Sequence, residues 1–242
     1  MHNRSIVLIP TLNEKENLEK LIPAIFNLMP DISVLIVDDN SKDGTQELAE
    51  ELKQNYGNLF ILNRSSNFGY GRSSIDGFRW ILERDYDLLV TMDADFSHDP
   101  NIIPALLGKL KNFDIAAGSR YVKGGGVQNW SFLRRILSKF ANFYVRLILG
   151  LPIRDVTTGF NAYRTGCLRK IDFKDINSEG YAFLIELKYR LYQVGYAFVE
   201  YPIIYNERRE GQSKMSSKII WEAIWLPWKL KLNPKTQTPS SK

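Results

Sequence analysis

Five short apolar runs, the first four each followed by an amphipathic helical pattern, constrain this chain more than any other feature. Ser5-Ile6-Val7-Leu8-Ile9 is β-rich and is stopped by Pro10. Behind Asn13, residues Leu18, Leu21, Ile22, Ile25, Phe26 and Met29 recur at three- and four-residue steps, the period of one buried helix face. Ser33 to Val37, Leu59 to Leu62, 86–92 and Asp114 to Gly118 read as four more strands. Helices are predicted through Leu48 and Leu52, from near Ser73 to Leu82, and from Asn101 to Leu110. Apolar strands alternating with helices predict βαβ units and a mostly parallel α/β sheet covered on both faces. Ligands of such sheets bind beyond the carboxyl ends of the strands.

Three strands end at that edge in polar clusters: Pro10 to Glu14, Asp38-Asp39 and Asp93 to Asp95. Asp93 and Asp95 are two positions apart, and on extended backbone such side chains share a side. Two carboxylates that close resist ionising together unless a cation sits between them. The pair therefore points to a hard divalent cation, Mg²⁺ or Mn²⁺, shared with a phosphate, although a D-x-D on its own is equally a polar loop after a buried strand. Zinc is disfavoured, because Cys167 is the single cysteine and His2 and His98 are the only imidazoles. A nicotinamide enzyme is disfavoured too: no G-x-G-x-x-G follows the first strand, and no Walker A is present. The N-terminus has no long apolar region of a signal peptide, and no run approaches the roughly 20 apolar residues of a membrane span.

Beyond residue 119 the regularity and the charge both change. Residues 1–119 carry 11 Lys and Arg against 18 Asp and Glu, a balance of −7; residues 120–242 carry 21 against 9, a balance of +12. The basic half implies an anionic partner: nucleic acid, a phosphate ligand or a membrane surface. The acidic first half and its carboxylate-lined strand ends argue against nucleic acid. Lys123-Gly124-Gly125-Gly126 reads as a hinge-like connector, and Ser131 to Leu149 as a long helix bearing Arg134, Arg135, Lys139 and Arg146. Asp155 to Phe160 reads as a polar turn, Tyr181 to Tyr192 as a helix, and Tyr196 to Tyr205 as strand-like. Of the two adjacent arginines, Arg134 is the better phosphate candidate and Arg135 faces solvent. The Trp-rich segment around 221–228 suits a core helix or an element lying at lipid headgroups. The organisation expected is one domain over 1–232, with two halves meeting near 120 and a disordered tail from 233 to 242.

Taken together, IPTLNEKENL (9–18), VDDNSKDGT (37–45), NFGYGRS (67–73), MDADFSHDP (92–100), GSRYVKGGG (118–126), DVTTGFNAYR (155–164) and ERREGQSKMS (207–216) resemble family 2 glycosyltransferases of the GT-A fold. Within them, they resemble the dolichol-phosphate mannosyltransferase, or polyprenyl-phosphate glycosyltransferase, group. The resemblance implies a Rossmann-like GT-A sheet with a basic C-terminal lobe. It implies that Pro10, Leu12, Glu14, Val37 and Asp39 line the donor nucleoside, with Leu12 standing where the family usually has tyrosine. Asp93, Ala94 and Asp95 would face the donor diphosphate through Mg²⁺ or Mn²⁺, with Ser97 helping at the metal. Arg120 and Arg134 would take the acceptor phosphate, and Arg208 and Lys214 would close over the phosphates from a mobile loop.

The activity so implied is inverting transfer of mannose or glucose from a nucleotide-sugar, GDP-mannose or UDP-glucose, to a polyprenyl or dolichyl phosphate. The enzyme would sit in the cytoplasm, peripheral on the cytoplasmic membrane face. A polysaccharide acceptor, or nucleotidyl transfer on a related fold, are the competing readings. Many relatives in that group carry C-terminal transmembrane helices, a pattern this sequence does not show.

Overall fold

The computed structural model describes residues 3–176, 178–206 and 217–232, and for Tyr181 and residues 217–223 only the backbone. Nine strands and eight α-helices lie among them: β1 Ser5–Thr11, α1 Lys15–Leu28, β2 Ser33–Asp38, α2 Thr45–Asn55, β3 Leu59–Asn63, α3 Tyr70–Leu82, β4 Leu88–Thr91, α4 Ile103–Lys109, β5 Ile115–Ser119, β6 Gly126–Val127, α5 Phe132–Leu149, β7 Asn161–Arg164, α6 Thr165–Leu168, α7 Gly180–Gln193, β8 Phe198–Pro202, β9 Ile204–Tyr205 and α8 Ser217–Leu232. The predicted order of strands and helices is present through β5.

Seven strands form one sheet in the order β3-β2-β1-β4-β7-β5-β8, and β6 pairs with β9. All neighbours in the large sheet are parallel except β7, which runs antiparallel between β4 and β5. The stretch Asn161–Arg164, after the polar turn, is a strand that the sequence pattern does not mark. Its residues Asn-Ala-Tyr-Arg carry no apolar run, and the pairing is supplied by two flanking strands that leave a gap of one strand width. The mostly parallel GT-A-type α/β architecture is as expected.

Alternation along β1 divides the core. Val7 and Ile9 face α1, α2 and α4 through Leu18, Ile22, Ala49 and Leu106. Ile6 and Leu8 face α3 and α7 through Phe78, Ile81, Phe183 and Leu187. A third cluster joins Val145 and Ile148 of α5, Ile185 of α7, and Leu226 and Leu230 of α8. Cys167 is buried, and burial with nearby Asp114 pushes its thiol up to about 12, leaving it inert.

The glycine run at 124–126 is not a hinge. Gly126 pairs with Ile204 in the β6–β9 ladder, and a Cβ on Gly125 would stand 2.4 Å from the Ser119 carbonyl oxygen. Only a residue without a side chain lets this turn close on the end of β5. Gly125→Ala is expected to lower the unfolding free energy by about 1–3 kcal/mol through overpacking. Gly108→Ala, at a helical position with nothing within 4 Å, should be neutral or stabilising. Urea denaturation midpoints of the two variants check the contrast.

Candidate active site

The carboxyl ends of β1 and β2 are zipped together by side chains that bond backbone. Asp38, fully buried, accepts from the Ser41 amide at 2.9 Å and from Gln46 Nε2 at 2.6 Å. The Asn13 amide donates to Ser41 Oγ at 2.8 Å, and Asn13 Oδ1 accepts from the Lys42 amide at 2.8 Å. Asn13 and Asn40 adopt positive φ of 58° and 65°, which asparagine tolerates. These bonds make Asp38 the organiser of the turn, as a turn former at that position should be.

Asp39 is buried and already engaged. One oxygen accepts from Arg64 Nη1, and the other from the Gly69 amide at 2.6 Å. Arg64 also binds Asp76 at 2.8 Å and the Asn67 carbonyl at 2.7 Å. Asp39 and Arg64 thus tie the start of α3 to the end of β2; sequence reading missed Arg64, because nothing in the pattern NRSSN marks one arginine for burial. Val37 points its side chain into the core, so only its backbone faces the edge. Leu12 is 43% exposed beside this corner, and Glu14 accepts from Asn17 at 2.6 Å at the head of α1.

β4 ends at Thr91, so Asp93 and Asp95 lie on the following loop rather than on the strand. Asp95 accepts from the Ser97 amide at 3.0 Å, and Phe96 turns the chain at φ 57°. His98 is buried, stacked on Phe160 at 4.9 Å, and its Nδ1 accepts from the Asp93 amide at 3.1 Å. An accepting Nδ1 is an unprotonated one, and burial lowers the imidazole pKa against the pull of Asp93 and Asp95. His98 therefore braces the aspartate loop. Asp95 and Ser97 are buried, while the Asp93 side chain is 24% exposed.

Ser97 Oγ is buried and has no hydrogen-bond partner among the described residues. A buried oxygen without a donor beside two carboxylates suits a cation. Among the described residues, no three His, Cys, Asp or Glu side chains form a metal cluster by themselves. That matches Mg²⁺ or Mn²⁺ in sites of one or two carboxylates completed by phosphate oxygens and water.

Arg120 follows β5 and is held by Asp155: its Nε and Nη2 each donate to that carboxylate at 2.7 Å, and Nη2 also reaches Thr157 Oγ1 at 2.8 Å. Asp155 is fully buried. Burial alone would raise its pKa, but the Arg120 charge and hydrogen bonds hold it below the ordinary carboxylate value. Arg134 lies with its guanidinium carbon 4.2 Å from the Trp130 ring centroid, and that of Arg120 is 5.5 Å from the same ring. The two arginines named from sequence thus gather on one indole. Arg135 was expected to face solvent; it is exposed, but with Lys139 it also lines a cavity of about 200 Å³ shared with Arg120 and Trp130. Arg208 and Lys214 lie outside the described residues.

The turn Asp155 to Gly159 joins the two clusters. A Cβ on Gly159 would meet the Tyr70 hydroxyl at 2.7 Å and Asp93 Oδ1 at 3.4 Å. Beneath it, buried Lys188 of α7 donates to the Val156 and Thr158 carbonyls at 3.1 and 2.7 Å. Burial pushes the Lys188 ammonium down to about 7, against the pull of Asp155. Asn142 of α5 accepts from the Val156 amide at 2.8 Å, and Glu200 of β8 from the Asp155 amide at 3.0 Å. Glu186 of α7 pairs with Arg190 at 2.7 Å and accepts from Ser178 at 2.6 Å, a buried structural cluster.

Asp155→Asn leaves Arg120 partly buried without its counter-charge and should cost about 3–5 kcal/mol. Because the Asp155 carboxyl is lowered in the folded state, its contribution is present above the unfolded carboxyl value and is lost as pH falls through the folded one. Acid titrations of stability should therefore be steeper below pH ~4 in wild type than in the variant.

Residues 6–172 match the model for Glycosyl transferase family 2. A polyprenol monophosphomannose synthase of Mycolicibacterium smegmatis is 44% identical over 92% of this chain and 84% of its own. An undecaprenyl-phosphate mannosyltransferase of Micrococcus luteus is 42% identical over 91% of each. A dolichol-phosphate mannosyltransferase of Pyrococcus furiosus is 39% identical over 90% of this chain, which spans 61% of that longer protein. In fold, the crystal structure of glucosyl-3-phosphoglycerate synthase from Mycobacterium tuberculosis with Mn²⁺, UDP and phosphoglyceric acid superposes with a TM-score of 0.67 at 16% identity, over 99% of this chain and 80% of that one. The chain belongs to glycosyltransferase family 2 and is a glycosyltransferase of GT-A fold.

Proposed function

We propose that the protein transfers mannose from GDP-mannose to a polyprenyl phosphate at a membrane surface, with inversion and with Mg²⁺ or Mn²⁺. The observation that carries this reading is the single turn Asp155 to Gly159, which passes beside Asp93 at one end, where a Cβ on Gly159 would lie 3.4 Å from Asp93 Oδ1, and holds Arg120 at the other. A donor diphosphate and an anionic acceptor would meet across it. Mannose is favoured over glucose by the names of the relatives that are 39 to 44% identical.

The residues divide the work. Asp93, Asp95 and Ser97 hold the metal, which when bound supplies positive charge to the leaving diphosphate. Pro10, Leu12, Glu14 and the Val37 backbone border the nucleoside. Asp39 acts at a distance, by holding Gly69 and Arg64 in place. An acceptor phosphate monoester, with a second pKa of about 6, is mostly dianionic at neutral pH and needs no general base. Its oxygen attacks the anomeric carbon from the face opposite the diphosphate, whose oxygen leaves with the bonding pair. Arg120 and Arg134 steer the attacking phosphate by charge-assisted hydrogen bonds. Arg208 and Lys214 complete the charge around the donor.

The membrane reading rests on α5 more than on the Trp-rich segment alone. Phe132, Leu133, Leu137, Phe140 and Leu147 are 58 to 79% exposed along this helix. Such a stripe on a soluble surface marks an interaction face. It starts beside Arg134 and is flanked by Arg135 and Lys139, as an interfacial helix would be. In α8, Leu226 and Leu230 serve the core while Trp225 and Trp228 are exposed, and Trp228 Nε1 donates to Tyr144 of α5 at 2.9 Å. The segment thus packs one face into the core and leaves Trp225 and Trp228 at the surface. The side chain of Trp221 lies outside the described residues. Among the described residues no helix is long and apolar enough to cross a membrane.

Incubation with Mn²⁺, labelled GDP-mannose and a short polyprenyl phosphate should yield lipid-linked mannose. Product with UDP-glucose alone would move the donor assignment, and no product with either donor would refute the function. Asp93→Asn and Asp95→Asn should each abolish metal-dependent nucleotide binding in calorimetry; retained affinity would overturn the metal assignment. Phe132, Phe140 and Leu147 replaced together by serine should reduce cosedimentation with anionic vesicles at least tenfold. Equal sedimentation would remove α5 from the membrane contact.

A further inference from the structure

We propose that Lys188 is a positioning residue for transfer: by gripping the Val156 and Thr158 carbonyls from below, it keeps the Asp155–Gly159 turn at the length that sets Arg120 against Asp93. This rests on the reading of Arg120 as the acceptor-side cation and Asp93 as the donor-side carboxylate.

The turn is gripped at successive residues from three different elements. Glu200 of β8 takes the Asp155 amide, Asn142 of α5 takes the Val156 amide, and Lys188 of α7 takes two carbonyls. Thr91 of β4 adds a fourth hold, donating to the Gly159 carbonyl at 2.7 Å. Lys188 is the central one, because its two acceptors flank Thr157, whose hydroxyl accepts from Arg120. A buried lysine is costly to keep and is retained only where its N–H groups have work. Here both bonds it makes are to the backbone of the one segment common to the two halves of the cleft. Asp155, Arg120 and Glu200 are the charged groups that face it.

The clearances leave little slack. At the Gly159 end the carbonyl is held by Thr91, and a Cβ there would stand 2.7 Å from the Tyr70 hydroxyl, so that end packs closely under Tyr70. At the other end, Asp155 is fully buried and bound to Arg120 through both oxygens. Loss of the Lys188 grip frees the middle of the turn, and the end that can move is the one carrying Arg120. The predicted defect is therefore on the acceptor side. Positioning errors near 1 Å are enough to cost two orders of magnitude in rate.

Lys188→Met keeps the length and removes the donors. Hydrogen–deuterium exchange should accelerate at least tenfold at residues 156–160 with no change in β1 and β2. In steady-state assays, KM for a short polyprenyl phosphate should rise at least fivefold and kcat should fall tenfold, while KM for the nucleotide-sugar stays within twofold. Unchanged exchange at 156–160 would overturn the grip. Faster exchange with unchanged kinetics, or a fall in kcat with both KM values unchanged, would overturn the positioning role and leave a structural one. Should Lys188→Met not fold, Lys188→Gln retains an amide donor on a shorter stem and is held to the same outcomes. A wild-type enzyme that makes no lipid-linked sugar would refute the reading of function instead, and the exchange arm would still decide whether Lys188 holds the turn.

Discussion

The ion pair between Asp155 and Arg120 is the interaction on which the cleft depends. A carboxylate with no solvent exposure is expensive unless its oxygens are filled, and here each oxygen takes a bond from one guanidinium. The Arg120 amide adds a third bond at 3.0 Å. That satisfaction forces the turn after α5 to lie against the end of β5. Four residues on, at Gly159, the same turn packs too close to the Tyr70 hydroxyl to admit a side chain. Charge satisfaction in the core thereby fixes the path of the turn that runs from Arg120 toward Asp93.

The other edge of the cleft follows the same logic with different parts. Asp38 and Asp39 end a buried strand, and both are used inward: one folds its own turn, the other anchors Arg64 and Gly69. The motif carboxylates that stay open toward ligand are fewer than the motifs suggest. Asp93, half-buried on its loop and braced by His98, is the clearest of them. Family 2 enzymes are recognised by motifs, but in this chain several motif residues act by holding others.

Much of the fold was legible because its signals are local. Continuous apolar runs mark β1 to β5 and period-3.6 patterns mark α1 to α4, and burial of both sheet faces follows from strands apolar at nearly every position. β7 was not legible, since a strand of Asn, Ala, Tyr and Arg owes its existence to its neighbours. Arg64, Asn142, Lys188 and Glu200 were equally hidden. Each is an ordinary polar residue in sequence, and only the meeting of elements 14 to 45 residues apart, as in Asn142 with Val156 and Glu200 with Asp155, makes it a partner. The apolar stripe on α5 was visible as residues but not as exposure, because an amphipathic helix does not declare which face it buries.

The sequence by itself determined the class of fold, the sheet edge at which ligands of such folds bind, and where residue types suited to a metal and a phosphate collect. These depend on backbone periodicity and side-chain chemistry, which are properties of short stretches. The tertiary structure decided which of those residues serve as braces. It did so by burial: a charge removed from water must find its partner, and partners are chosen by the packing of elements remote in sequence. Asp155, written in sequence as part of a polar turn, became the buried pivot of the cleft for that reason.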